Sequence, residues 1–314
     1  MFSFLVIEIP WGPNIAKLGP FLISWHGFFT AVGILGGVQL ALWIVRRTGY
    51  DEDHAYNLAL VGVPSGIIGA RILFVLEHWS FYSSNPGQIL ALTEGGISVW
   101  GAVIGGVLGS LLFALWRGYE IRRGLDAAGF GLITGMAIGR LGDLVNGEHL
   151  ALSTSLPWGV VYTHPDSPGF AHSLDIGTTH PSLTRMVERF GEELTFGAVH
   201  PATTYEMLGD LVILGAMFWL LFGLLRRRPG LTFFVFLVGY AVMRFAVTYL
   251  RVDSSDTFVP GLRVPQLVSV VVVLASLPAI FYLLRQPPVE DPRAPAGSPP
   301  ADAARAPDAP PGRR

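Results

Sequence analysis

Apolar residues in this chain come in long blocks rather than in alternation. Seven blocks, near 21–45, 55–78, 96–116, 128–147, 203–225, 231–250 and 264–284, approach or exceed the length a bilayer-crossing helix needs, about 20 residues. Short arginine-bearing segments separate several of them, and "RRRPG" alone divides the fifth from the sixth. The pattern predicts an all-α multi-pass membrane protein with seven transmembrane helices. Residues 1–285 then form one transmembrane domain. The one long polar interval, 148–202, is predicted to be a small cap between spans four and five, with an amphipathic run "PSLTRMVERFGEEL". From 286 to 314 the chain is rich in proline and alanine, the composition of a disordered tail.

Arginine placement predicts the orientation. Arg46 and Arg47, then Arg117, Arg122 and Arg123, then Arg226, Arg227, Arg228 and Arg285 all fall at one set of span ends. The 79–95 loop has no Lys or Arg, and the 251–263 loop has only Arg251 and Arg263. Short basic loops stay cytoplasmic, so the expectation is N-terminus and cap outside, tail inside. The opening "MFSFLVIEIPWGPN" has neither a basic start nor a small-residue cleavage site, so no cleaved signal peptide is expected.

Composition sharpens this. The chain is 51 % hydrophobic and 14 % charged, against about 25 % charged in soluble domains. A net charge of −2 without a dense basic patch argues against nucleic acid. There is no cysteine, hence no disulfide and no thiolate nucleophile of the protein's own. Two glycine series, Gly101, Gly105, Gly109 and Gly131, Gly135, Gly139, have the spacing that lets helix backbones approach closely in lipid.

Charge inside a bilayer is costly, about 2.5–3.5 kcal/mol for a residue at mid-span, and so points to function. With the predicted orientation, Arg71 and Glu77, then Arg140, Asp143, Asn146 and Glu148, then Arg244 and Arg251 all lie toward the outer ends of spans two, four and six. His26, Trp100, His200 and Glu206 lie at the same level on spans one, three and five. Arg244, Thr248 and Arg251 share one helical face, and Arg140 neighbours Asp143. Several arginines at one depth suit an anion, and a phospholipid phosphate is the anion that lipid can deliver. The competing reading is structural ion pairing, Arg140 with Asp143 and Arg244 with Glu206, plus snorkelling at the helix ends. Ser65 lies far from this layer, and His164, His172 and His180 read as cap loop residues; no metal or cofactor is implied.

The stretch "GRLGDLVNGEH" at 139–149 resembles the signature of the prolipoprotein diacylglyceryl transferase family, Gly-Arg-x-Gly-Asn-Phe-x-Asn-x-Glu-x-x-Gly. "ISWHGFF", "GARILFVLEH", "EGGISVWGAVIGG", "LPWGVVY", "VHPATTYEM" and "MRFAVTYLR" resemble further family motifs in the right order over residues 20–285. The resemblance implies a seven-span enzyme of the bacterial cytoplasmic (inner) membrane with its site facing the outer leaflet. It implies transfer of the diacylglyceryl group of phosphatidylglycerol to the lipobox cysteine thiol of a prolipoprotein, with release of glycerol phosphate. By motif position it makes Arg140, Asn146, Arg71 and Arg244 phosphatidylglycerol-binding residues, and Glu148 and Arg244 catalytic ones, while Trp100 is read as packing or stacking on the phosphatidylglycerol headgroup.

The departures are specific. Asp143 replaces the signature's first asparagine, Leu144 its phenylalanine and Ala151 its final glycine. Thr248 replaces a glutamate, His26 stands where many members have tyrosine, and Trp100 where many have a histidine. His26 is therefore the candidate for the base that Trp100 cannot supply; otherwise it is an interfacial residue at the start of span one. His200 and Glu148 come next. A diverged relative that binds anionic phospholipid without transferring it, and a membrane transporter, are the alternatives.

Overall fold

The computed structural model describes residues 6–19, 21–77, 79–90, 99–147, 149, 151–170, 197–252 and 259–289. Seven long helices are present: α1 (Trp25–Thr48), α2 (Glu52–Glu77), α3 (Val99–Arg117), α4 (Ile121–Asn146), α5 (Ala202–Phe222), α6 (Leu231–Thr248) and α7 (Val264–Arg285). Six are long and apolar enough to cross a membrane, and α3 is a further, largely apolar helix of 19 residues. They coincide with the seven predicted blocks to within a few residues at most ends. The run "PSLTRMVERFGEEL" and residues 290–314 lie outside the described residues.

The main correction is at the N-terminus. Residues 21–24, expected to open the first span, form strand β3 (Phe21–Ser24), paired antiparallel with β2 (Asn14–Leu18). Gly19 turns with φ of 60° ahead of Pro20, and proline disfavours helix in the residue before it. The helix starts only where the Ser24 side chain accepts the Gly27 N–H at 3.0 Å. A further strand, β1 (Ile7–Ile9), runs parallel to β4 (Val160–Tyr162) of the cap. Ile9, Val160, Tyr162 and Val199 bury together there, with Leu144 beneath them.

Helix α4 is the centre of the bundle, packed on α1, α5 and α6, while α2 and α3 pair with each other. Phe130 and Ile133 of α4, Ile44 and Val45 of α1, Met217 of α5 and Phe236 of α6 make the buried apolar core. Glycine sets the closest approaches. A methyl group on Gly33 would sit 2.7 Å from the Gly135 carbonyl oxygen, and Gly131 faces Gly37 in the same way. Gly101 and Gly105 bring α3 against Gly69 of α2. Gly139 is the exception in its series, with nothing within 4 Å of its Cβ position. At the other end of α4, Asp126 accepts the N–H groups of Gly230 at 2.6 Å and Phe233 at 2.9 Å, capping α6 from a distance.

Candidate functional site

Arg140, Asp143, Asn146, Glu206, Arg244, Arg251 and His26 gather at one end of the bundle, where α4 and α6 finish and α1 and α5 begin. A helix ending there leaves backbone carbonyls without helical partners. For α4 the cap supplies donors: the Tyr162 hydroxyl reaches the Leu144 carbonyl and the Ser167 hydroxyl reaches that of Asn146, both at 3.0 Å. Gly147 closes the helix at φ 71°, its N–H on the Asp143 carbonyl. Burial raises the pKa of the Tyr162 phenol, which keeps it a donor.

Two carboxylates organise the site. Glu206 of α5 is fully buried and meets three guanidiniums: Arg140 at 2.7 Å, Arg251 at 3.2 Å, and Arg244 in a close contact. Asp143 meets Arg140 at 2.8 Å, His26 at 2.7 Å and, at 3.4 Å, His149. Arg140 thus bridges both acids. Three guanidiniums from two helices and the segment after α6 converge on one carboxylate.

The histidine tautomers follow from donor chemistry. Arginine only donates, so Nδ1 of His149, 2.7 Å from Arg251, accepts and its Nε2 carries the proton toward Asp143. A carboxylate only accepts, so Nδ1 of His26 carries the proton it shares with Asp143 Oδ1. That leaves the lone pair of neutral His26 on Nε2, on a side chain 43 % exposed. The pairing depends on Gly142. A methyl there would lie 2.7 Å from the Cα of His26 and 2.9 Å from the Trp25 carbonyl oxygen. The backbones of α1 and α4 touch at that glycine and so bring His26 to Asp143.

Gly142→Ala is expected to lower stability by about 1–3 kcal/mol through overpacking, and to reduce activity as His26 is pushed from Asp143. Gly139→Ala, with open space at its Cβ position, should leave both unchanged or slightly raise stability. Thermal unfolding and turnover of the two variants side by side make the test; equal behaviour would remove Gly142 from the account of the site.

The sequence-predicted residues divide into those the structure gathers and those it does not. Arg140, Arg244 and His26 lie in one connected network with Asp143 and Glu206. Asn146 is buried one turn beyond Asp143. Arg71 is also buried, but it turns to the segment after its own helix. It donates to the carbonyls of Gln88 and Ile89, both at 2.7 Å, and stacks over Tyr82. Glu148 and the side chain of Trp100 lie outside the described residues. His200 is held neutral by burial and pairs with the Tyr205 hydroxyl at 3.2 Å. Thr248 turns its hydroxyl back to the Arg244 carbonyl, and Ser65 turns its own to that of Val61.

From the sequence Glu206 was placed in the polar layer and as a partner for Arg244, while His149 and Asp210 were assigned nothing. Asp210 is fully buried one turn from Glu206, and neither of its carboxyl oxygens has a hydrogen-bond partner among the described residues. The i, i+4 spacing of Glu206 and Asp210 along an otherwise apolar helix was the available signal.

Fold and site together define a polytopic membrane protein with a buried cluster of arginines and carboxylates inside one end of its helical bundle. A profile of the prolipoprotein diacylglyceryl transferase family matches residues 13–282. The chain belongs to that family. The phosphatidylglycerol–prolipoprotein diacylglyceryl transferase of Nostoc sp. is 31 % identical over 285 residues, 89 % of this chain and 92 % of that protein. The enzyme of the same name from Synechococcus elongatus is 32 % identical over 276 residues, 87 % of each chain. That of Bacillus mycoides is 30 % identical over 285 residues, 90 % of this chain and 95 % of that protein.

Proposed function

We propose that this protein transfers the diacylglyceryl group of phosphatidylglycerol to the lipobox cysteine thiol of prolipoproteins, with His26 and Asp143 as the proton-accepting pair. The observation that carries the residue assignment is the network itself. Arg140 joins an anion-binding cluster to a histidine–aspartate pair through a single guanidinium.

In this reading the lipid phosphate enters among Arg140, Arg244 and Arg251, in competition with the Glu206 carboxylate. His26 Nε2 takes the proton of the substrate thiol, and Asp143 holds the ring in the required tautomer and stabilises the imidazolium. The thiolate attacks the glyceryl carbon that carries the phosphate ester. A C–S bond forms, the C–O bond breaks, and its electron pair leaves with glycerol phosphate, whose charge the arginines stabilise. The proton on His26 passes to solvent or product before the next turnover. The protein's lack of cysteine is consistent with this, because the sulfur belongs to the acceptor.

The positive-inside distribution of arginine supports an N-out, C-in topology in the bacterial inner membrane. In this reading the site faces the outer leaflet, with residues 151–170 packed on the end of α4. The cap's hydroxyls on the end of α4 support its role as a lid that positions the signature.

The deciding experiment supplies purified protein with phosphatidylglycerol and a lipobox peptide. Release of glycerol phosphate together with a thioether-linked peptide is the expected result. Retention of phosphatidylglycerol with no release would instead identify a binding-only relative.

A further inference from the structure

The end of the bundle opposite the catalytic residues has a second convergence of arginines that the transfer reaction does not use. Arg47 in the last turn of α1, Arg123 in the first turns of α4 and Arg226 in the α5–α6 turn line one cleft. Leu221 and Phe222 of α5 supply its apolar wall. His26 and Arg47 are separated by about 30 Å along α1, at 1.5 Å per residue. The cleft therefore belongs to the other bilayer face and is a separate site.

We propose that this cleft binds the phosphate headgroup of an anionic phospholipid from the opposite leaflet, as a bound structural lipid rather than a reactant. Three features carry the assignment. The first is charge: the one carboxylate in the lining, Asp126, already has both oxygens on the backbone N–H groups that cap α6. Arg123 has Glu120 beside it at 3.5 Å, whereas Arg47 has no carboxylate partner among the described residues and lies over the Trp43 ring. The second is hydrogen bonding: guanidiniums from three segments line the cleft, each with five N–H donors, and Arg123 spends some of its own on Glu120 and on the Gly49 carbonyl at 3.5 Å. The third is the flank, which separates a lipid from a free anion. Trp43 stacks edge-on against Phe218 and Phe222 beside the cleft. Trp219 and Leu224, 75 % and 79 % exposed, extend an apolar surface along which acyl chains can run. Basic pockets between spans on the cytoplasmic side are suited to such headgroups.

The test uses the full chain in phosphatidylcholine nanodiscs titrated with phosphatidic acid, with bound lipid per protein counted by native mass spectrometry. The wild type is expected to show two classes of bound phosphatidic acid, one at each end. The triple variant Arg47→Gln/Arg123→Gln/Arg226→Gln should lose one class. Each arginine near an anionic headgroup contributes about a fivefold factor, so affinity there should fall roughly a hundredfold. Glycerol phosphate release should persist, which separates this site from the catalytic one. If the triple variant fails to fold, Arg47→Gln alone, whose side chain stacks only on Trp43 among the described residues, should weaken that class about fivefold. Unchanged binding in a folded triple variant overturns the proposal. So does displacement of the lipid by an equal concentration of inorganic phosphate, or a change seen only on deleting residues 290–314.

Discussion

Arg140→Ala is expected to slow glycerol phosphate release by about 10²–10³-fold, the cost of removing one fixed cation from a developing oxyanion. Arg244→Ala should fall in the same range. Both guanidiniums already sit on the buried Glu206 carboxylate, so they are held in place before substrate arrives. Deleting one partner of a buried pair costs about 3–5 kcal/mol when the other is left alone. Here neither acid is abandoned. Without Arg140, Glu206 keeps Arg244 and Arg251, and Asp143 keeps His26 and His149. The variant should therefore fold, which thermal unfolding in detergent checks. Arg140→Lys restores the charge but not the planar fork that spans two carboxylates, and should recover stability better than rate. If Arg140→Ala turned over within about threefold of wild type, the cluster would be structural, as the ion-pair reading of the sequence held.

The second large effect is expected at His26. His26→Phe should lower turnover by about 10²–10⁴-fold, the range for losing a positioned general base, while phosphatidylglycerol binding persists. Asp143→Asn keeps the shape but brings an uncharged amide to His26, which undoes the tautomer selection. It should cost at least about 10²-fold. The discriminating measurement is the double variant. If the two residues act as one unit, His26→Phe/Asp143→Asn should be no slower than His26→Phe alone. Additive losses would separate Asp143 from the base and return it to the role of a tether for Arg140. Asp143 puts an acid beside Arg140 where the signature has asparagine. The structure turns Asp143 neither away nor out of the cluster: one oxygen serves His26, the other Arg140. The replacement of asparagine by Asp143 and of tyrosine by His26 are two halves of one contact.

Much of the fold was legible because lipid imposes a simple rule. A helix must stay apolar over bilayer thickness, so the seven blocks announced seven helices and the glycine series announced where backbones meet. Gly131 and Gly135 took the predicted contact, while Gly139 did not, because spacing alone cannot say where two helices diverge. The N-terminal strands were not legible. A short apolar run such as "FLIS" fits a strand or the first turn of a helix equally well. Its pairing with Asn14–Leu18 followed from the turn at Gly19.

By itself the sequence determined the helix count, the arginine asymmetry between the two ends, and the level at which the polar residues collect. These depend on local hydrophobicity and on rules of insertion that act along the chain. It also carried enough of the signature to indicate the family. The pairs Arg140–Asp143 and Arg244–Glu206 were legible in the sequence, and both form; only the tertiary structure added Arg140 and Arg251 to Glu206 and His26 to Asp143. Arg140, Glu206 and Arg244 come from three helices, and their shared contact depends on crossing geometry that no spacing encodes. The same holds for His26 and Asp143, which are 117 residues apart. They meet because Gly142 lets two backbones touch, and that contact turns an irregular signature into a matched pair.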